Sequence, residues 1–271
     1  MFKVILLLSQ IIFSSSFLNI NPPIHHKLLY KHNKEYEEYD YDYDIDPPKI
    51  TIKNIYTSRT PHQKEYSQDI YNDELKMIIV TGPAGTGKTL FPTQYAAKLL
   101  LETDMKIILT RPMISVDEEL GYLPGGINEK MHPWVVPIYD ILGEFMNQHK
   151  LEKFINEKRI EVVPLAFMRG RTFKNCLIIG DELQNTSINQ MLMLLTRIGE
   201  NSKIIITGDI SQSDHSENGL LDLIQRIESF YKKDEDTFKE NMKNDNISWI
   251  DMNIEDVQRS KLISTILNIY N

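Results

Sequence analysis

The chain has 271 residues, 41% hydrophobic and 25% charged, enough to bury a sizeable core in one large domain or two small ones. Its formal charge is −8, but seven acidic side chains and no basic one fall in residues 35–46, leaving a near-neutral body. A strongly basic domain is thereby excluded, so any nucleic-acid binding must come from a local patch. A lone cysteine, Cys176, excludes an internal disulfide and a cysteine-built zinc cage.

In chain order, Lys3 followed by the apolar stretch 4–13 and Ser14-Ser15-Ser16 reads as a targeting or signal-like segment over 1–20, with a docked helix or an unstructured start as alternatives. It is too short and interrupted for a stable membrane span. Residues 21–59 combine Pro22-Pro23, an acidic tyrosine run and Pro47-Pro48, the composition of an unstructured tail or linker, or of an acidic arm for a partner. Thr60-Pro61 opens a helix to about Tyr71, with Thr60 as its cap, and the folded domain is expected over 60–271. Strands are predicted at 76–81, 106–110, 160–164, 176–181, 203–207 and 248–252, and helices at 88–102, 134–157, 187–198, 216–231 and 255–269. This alternation predicts an α/β fold, a mostly parallel sheet with helices on both faces. Pro92, inside the 88–102 helix, predicts a kink there.

The segment Gly82-Pro83-Ala84-Gly85-Thr86-Gly87-Lys88-Thr89 lies between the first strand and a helix and fits G-x-x-x-x-G-K-S/T. Its glycines let backbone N–H groups face phosphate oxygens, Lys88 supplies a point charge, and Thr89 offers a hydroxyl to magnesium. A triphosphate is the implied ligand of a P-loop NTPase. The 176–181 strand ends in Asp181-Glu182. Alone, such a pair is more often a loop or helix cap. Beside a phosphate loop, Asp181 suits the magnesium shell, and Glu182 suits orienting and deprotonating an attacking water. The stretch Thr207-Gly208-Asp209-Ile210-Ser211-Gln212 closes the next strand, with Gln212 the candidate sensor of the terminal phosphate. Arg197 follows a helically spaced apolar run and suits solvent, an ion pair, or the triphosphate of a neighbouring subunit.

These pieces stand in one order with Thr110-Arg111-Pro112, Leu120-Gly121-Tyr122-Leu123-Pro124-Gly125, Lys130-Met131-His132-Pro133-Trp134, Pro164-Leu165-Ala166-Phe167-Met168-Arg169-Gly170-Arg171-Thr172-Phe173 and Asp181-Glu182-Leu183-Gln184-Asn185. From Thr60 onward the chain resembles the PhoH family of ATPases, whose single RecA-like core is similar to the first motor domain of superfamily 1 helicases. The resemblance implies an ATP hydrolase that uses magnesium, acts on single-stranded RNA and assembles as a homo-oligomer, as in a ring. Lys88, Asp181, Glu182, Gln212 and Arg197 would be its catalytic residues.

Gln63 matches the family's adenine-reading glutamine; from the residues alone it is an amide donor and acceptor upstream of the loop, or an ordinary exposed helix residue. Arg259 resembles the family's C-terminal arginine, but Gln258 and Ser260 flank it where valine and histidine are expected. For RNA, the candidates are the cations Arg111, Arg169 and Arg171 and the stacking faces Tyr122, Trp134 and Phe173, with Tyr122 favoured by its glycine and proline neighbours. No second motor domain is expected. Two other readings share the phosphate loop: a small-molecule kinase, and a nucleotide-dependent binding or assembly protein with little turnover. The expected location is cytoplasmic, or a plastid-type organelle if residues 1–20 are a leader.

Overall fold

Six short apolar runs become the strands: β1 (Met77–Thr81), β2 (Lys106–Thr110), β3 (Ile160–Val162), β4 (Cys176–Gly180), β5 (Lys203–Gly208) and β6 (Ile247–Asp251). The computed structural model describes residues 56–112, 127–213 and 218–258, without the side chains of 127–133. All of these belong to the compact unit Pro47–Asn271; the other unit, Met1–Asp46, lies outside the described residues. So do the leader-like segment, Tyr122, Asp214, Arg259 and the stretch after 258 where a last helix is predicted.

All strand pairs are parallel and the order is β3-β2-β4-β5-β1-β6. Every strand therefore presents its carboxyl end to one edge. Alternate residues serve opposite faces, as a pleated strand requires. Ile78, Val80, Leu109, Leu177, Ile179 and Ile205 share one core with the helices α1 (Pro61–Tyr71), α2 (Leu90–Glu102), α3 (Ile127–Gly143) and α4 (Gln148–Asn156). Ile79, Ile108, Ile178, Ile204 and Ile206 share the other with α5 (Ile188–Leu195), α6 (Gly219–Tyr231) and α7 (Phe238–Asn244). Burial on both faces explains why these strands read as unbroken apolar runs.

Three expectations are corrected. The single helix predicted over 134–157 is two, because Phe145 and Met146 leave the helical path to enter the core and Asn147 caps a new start by accepting from the Lys150 N–H at 2.8 Å. α7 went unpredicted, since its seven residues carry little apolar periodicity. Pro92 is the third residue of α2, in its first turn, so the only bond it forgoes is one to the Lys88 carbonyl ahead of the helix, not one within the helix interior. Among the described residues no helix is long and apolar enough to cross a membrane.

Candidate functional site

β1 lies between β5 and β6, and β5 lies between β1 and β4, so the loops leaving β1, β4 and β5 meet at one edge. In open parallel sheets ligands bind in this crevice at the carboxyl ends. The loop after β1 is shaped by glycines with positive φ. Gly82 has φ +136, and a Cβ on it would lie 2.4 Å from the Met252 carbonyl oxygen; Gly87 has φ +92, and a Cβ there would lie 2.9 Å from the Phe91 ring. Only a residue without a side chain fits either place. Within the loop, the Thr86 hydroxyl donates to the Pro83 carbonyl at 3.0 Å.

Lys88 is folded back on its own loop, donating to the carbonyls of Gly82 at 2.6 Å and Pro83 at 2.7 Å. Burial pushes its pKa down, while Asp209, Glu182 and Asp181, in that order, pull it back up. The carbonyl of Lys88 is the one that Pro92 cannot reach with an N–H. Tyr66 of α1 fills the gap: its hydroxyl donates to that oxygen at 2.9 Å, and its ring meets Phe91 edge-on at 5.9 Å. Burial raises the Tyr66 pKa well above the ordinary phenol value, with Asp181 adding to the rise, so the hydroxyl stays a donor.

Asp181 stands at the end of β4 with its N–H on the Thr110 carbonyl at 3.0 Å. Its Oδ1 accepts from the Thr89 hydroxyl at 3.0 Å and from the Thr207 hydroxyl at 2.5 Å. The loop threonine and the strand-end aspartate predicted to hold magnesium are thus in direct contact. Among the described residues no cluster of three or more His, Cys, Asp or Glu side chains could hold a metal. A site with one carboxylate and one hydroxyl fits a cation that keeps waters and takes phosphate oxygens for the rest of its shell, as magnesium does.

Glu182 follows with φ +55, a left-handed backbone that is strained for a residue with a side chain and typical of functional turns. Its Oε2 accepts from Gln184 Nε2 at 2.7 Å. Gln184, 2% exposed, also places Nε2 3.5 Å from the Gln212 carbonyl oxygen and accepts at Oε1 from the Asp209 N–H at 3.1 Å. Asp209 Oδ1 accepts from the Ser211 N–H at 3.0 Å and hydroxyl at 2.6 Å, whereas its Oδ2 is buried without a partner among the described residues. The predicted sensor Gln212 belongs to this turn, but with its side chain exposed and, among the described residues, only its backbone engaged.

Gln184, Asp209, Thr207 and Tyr66 are the members that sequence reasoning passed over. The first three stood inside the motif blocks, and nothing in spacing separates a relay residue from its neighbours.

Gln63 is brought to the loop but is 2% exposed, which overturns its reading as an ordinary surface residue. Its amide accepts from the Arg59 N–H at 2.8 Å and donates to the carbonyls of Thr86 and Asp256, each at 3.1 Å. Asp256 in turn accepts from Thr60 and lies 2.8 Å from His62 Nδ1. Burial works against the Asp256 carboxylate, but bonds from Thr60, the Asn253 backbone and His62 outweigh it and lower the pKa. With the Gln258 N–H on the Gly85 carbonyl at 2.9 Å, the turn after β6 clasps the loop tip to the start of α1.

The remaining candidates lie apart. Arg197 follows α5, which runs back toward the amino edge of the sheet, and its carbonyl accepts from Phe173, ahead of β4. Its guanidinium donates to the carbonyls of Met193 at 3.1 Å and Arg171 at 3.3 Å and makes no ion pair among the described residues. Arg111 leaves the carboxyl end of β2 with its guanidinium 5.9 Å from the Trp134 ring centroid. Arg171 forms a two-pronged pair with Glu161 at 2.7 and 3.0 Å and lies 4.5 Å from the ring of Phe173, itself 5% exposed. Arg169 is exposed.

A family model described as "PhoH-like protein" matches residues 55–271. Similar proteins include a "PhoH-like protein" from Bacillus subtilis (strain 168), 39% identical over 215 residues, covering 79% of this chain and 63% of its relative. A "PhoH-like protein" from Mycobacterium tuberculosis (strain ATCC 25618 / H37Rv) is 37% identical over 216 residues, covering 78% and 57%. One from Synechocystis is 44% identical over 161 residues, covering 59% and 48%. The chain spans about half to three-fifths of the length of these curated relatives. Among solved structures, a Sulfolobus solfataricus SWI2/SNF2 ATPase core in complex with dsDNA aligns with a TM-score of 0.40 and 14% identity, over 75% of this chain and 47% of that one.

Proposed function

The chain belongs to the PhoH-like protein family, and on that premise we propose that it binds ATP with magnesium and hydrolyses it by attack of water, coupling the cycle to single-stranded RNA. The observation that supports this most is the bonding of one Asp181 oxygen by both Thr89 and Thr207, with Glu182 tied to Gln184 on the next residue but one. Thr89, Asp181 and Thr207 are thus joined through side chains from three adjacent strand ends, and Glu182 follows Asp181 directly in the chain. Magnesium, when bound, offsets the charge that builds on the phosphate oxygens.

The chain's own residues do the remainder. Loop N–H groups cradle the phosphates, and Lys88 exchanges its two loop carbonyls for phosphate oxygen. Glu182 accepts a proton from the attacking water, while Gln184 holds that carboxylate and reports its state to the turn at Asp209–Gln212. Gln63 reads the adenine edge by exchanging one of its backbone partners. Arg197 starts from the opposite sheet edge, so it reaches a triphosphate only in a second copy; a homo-oligomer is therefore part of this reading.

The test is phosphate release from MgATP, with and without single-stranded RNA, by the full chain and two variants. Glu182→Gln is expected to keep nucleotide binding and to lose about 100-fold or more in kcat. Lys88→Ala is expected to lose both. Retained hydrolysis in Lys88→Ala, or transfer of phosphate to a metabolite instead of water, overturns the reading.

A further inference from the structure

We propose that Phe167 and Arg169 form a docking site for an unpaired nucleic-acid strand, with a base stacked on the Phe167 ring and the adjoining phosphate on the Arg169 guanidinium; this rests on the nucleic-acid part of the function proposed above.

Phe167 is 54% exposed, although Leu165 and Met168 on either side of it are 1% and 0% exposed. Those two anchors sit in the core under α5. Three tight bonds stiffen the turn between and after them: Phe167 N–H to the Pro164 carbonyl at 2.8 Å, Met168 N–H to Leu165 at 3.1 Å, and Arg171 N–H to Met168 at 3.1 Å. An apolar ring held outward by a stiff turn is preorganised, so little ordering cost falls on a base that stacks there.

The turn's position is set by its two limbs. On the way out, the Val163 N–H bonds the Leu109 carbonyl at 2.9 Å; on the way back, Arg171 grips Glu161 inside β3. Phe167 is therefore at the apex, beyond the carboxyl end of β3. That is the sheet edge which also carries Arg111 and, further along, the phosphate loop. A strand crossing here shares the carboxyl edge with the nucleotide site, with β2, β4 and β5 lying between β3 and β1.

Of the other aromatic candidates, Tyr122 lies outside the described residues and the remaining two are already engaged. Phe173 is buried beneath Arg171, and Trp134 lies under Arg111. Arg171 spends its charge on Glu161. Arg169 makes no hydrogen bond or ion pair among the described residues, in a chain whose acidic side chains outnumber its basic ones 38 to 30. In sequence, Phe167 is flanked by the exposed Ala166 and, beyond the buried Met168, by the exposed Arg169, Gly170 and Arg171, a ring and a cation within reach of one base and its phosphate.

Fluorescence anisotropy of a short labelled oligouridylate, and of its DNA counterpart, tests this on the full chain. Phe167→Ala is expected to weaken binding about tenfold or more, the loss of one stacked base, while Phe167→Tyr keeps it. Arg169→Ala is expected to weaken binding and to reduce the salt slope by about 0.7, one phosphate contact on a single strand. Weakening of both oligonucleotides assigns the site to either unpaired strand, and weakening of RNA alone adds a contact to the 2′-hydroxyl. If wild type binds and Phe167→Ala binds equally well, this site is wrong. If wild type binds neither strand, the nucleic-acid part of the proposed function fails as well.

Discussion

At the scale of single residues, the site turns on Gln184, which stands inside a motif block but has no role assigned from sequence. A buried primary amide has two donors and one acceptor to satisfy, and here they join Glu182, the Gln212 carbonyl and the Asp209 backbone. Gly208 makes room for it, since a Cβ there would lie 2.8 Å from Gln184 Oε1. Replacing Gln184 by Ala removes the link while leaving the phosphate loop intact. We expect kcat for ATP hydrolysis to fall about 10- to 100-fold, the effect of a displaced catalytic group, with KM changed far less. Steady-state phosphate release measures both, and an unchanged kcat would refute the positioning role. The carboxylates were legible in sequence because two acids after an apolar strand form a local pattern. Gln184 was not, because its partner Asp209 lies 25 residues away.

At the scale of elements, α1 supports the phosphate loop without contributing to its motif. Pro92 suits the first turn of α2 but leaves the Lys88 carbonyl without its helical N–H, and the Tyr66 hydroxyl takes that place. Tyr66→Phe keeps the ring packing on Phe91 and strands the carbonyl in a buried site. The expected cost is about 1–3 kcal/mol of stability, read from urea denaturation, together with weaker nucleotide binding. A variant as stable as wild type would mean that water or another group satisfies Lys88. The kink predicted at Pro92 came from treating the proline as helix-interior, since sequence places a helix end only to within a few residues. The division between α3 and α4 was likewise invisible locally, being set by the pull of Phe145 and Met146 into the core.

At the scale of the whole molecule, α1 is tied to the sheet at its far end as well. Lys203, at the start of β5 and 6% exposed, donates to the carbonyls of Ile70 at 2.6 Å and Asn72 at 2.9 Å, capping the end of α1. Its burial pushes the pKa down to about 8, against the pull of Asp73. Between about pH 8 and the ordinary lysine value the unfolded chain holds a proton that the folded chain has released. Stability from this group therefore rises with pH across that window and is lost as pH falls back through 8. Denaturant midpoints measured across the window should show this rise in wild type and lack it in Lys203→Met. Equal slopes in both proteins would remove Lys203 as the cause.

The sequence by itself determined the six strands, most of the helices and the parallel sheet covered on both faces, and it picked out the glycine-lysine loop and the acids at a strand end. These depend on short-range signals: apolar runs, a glycine-lysine loop, and acids at a strand terminus. Tertiary structure alone decided that Gln63 is buried against Thr86 and Asp256, that Arg171 and Phe173 are committed to internal partners, and that Phe167 is left at an apex. Exposure and pairing depend on which distant segments arrive beside a residue, and a parallel sheet with crossovers brings together segments far apart in the chain.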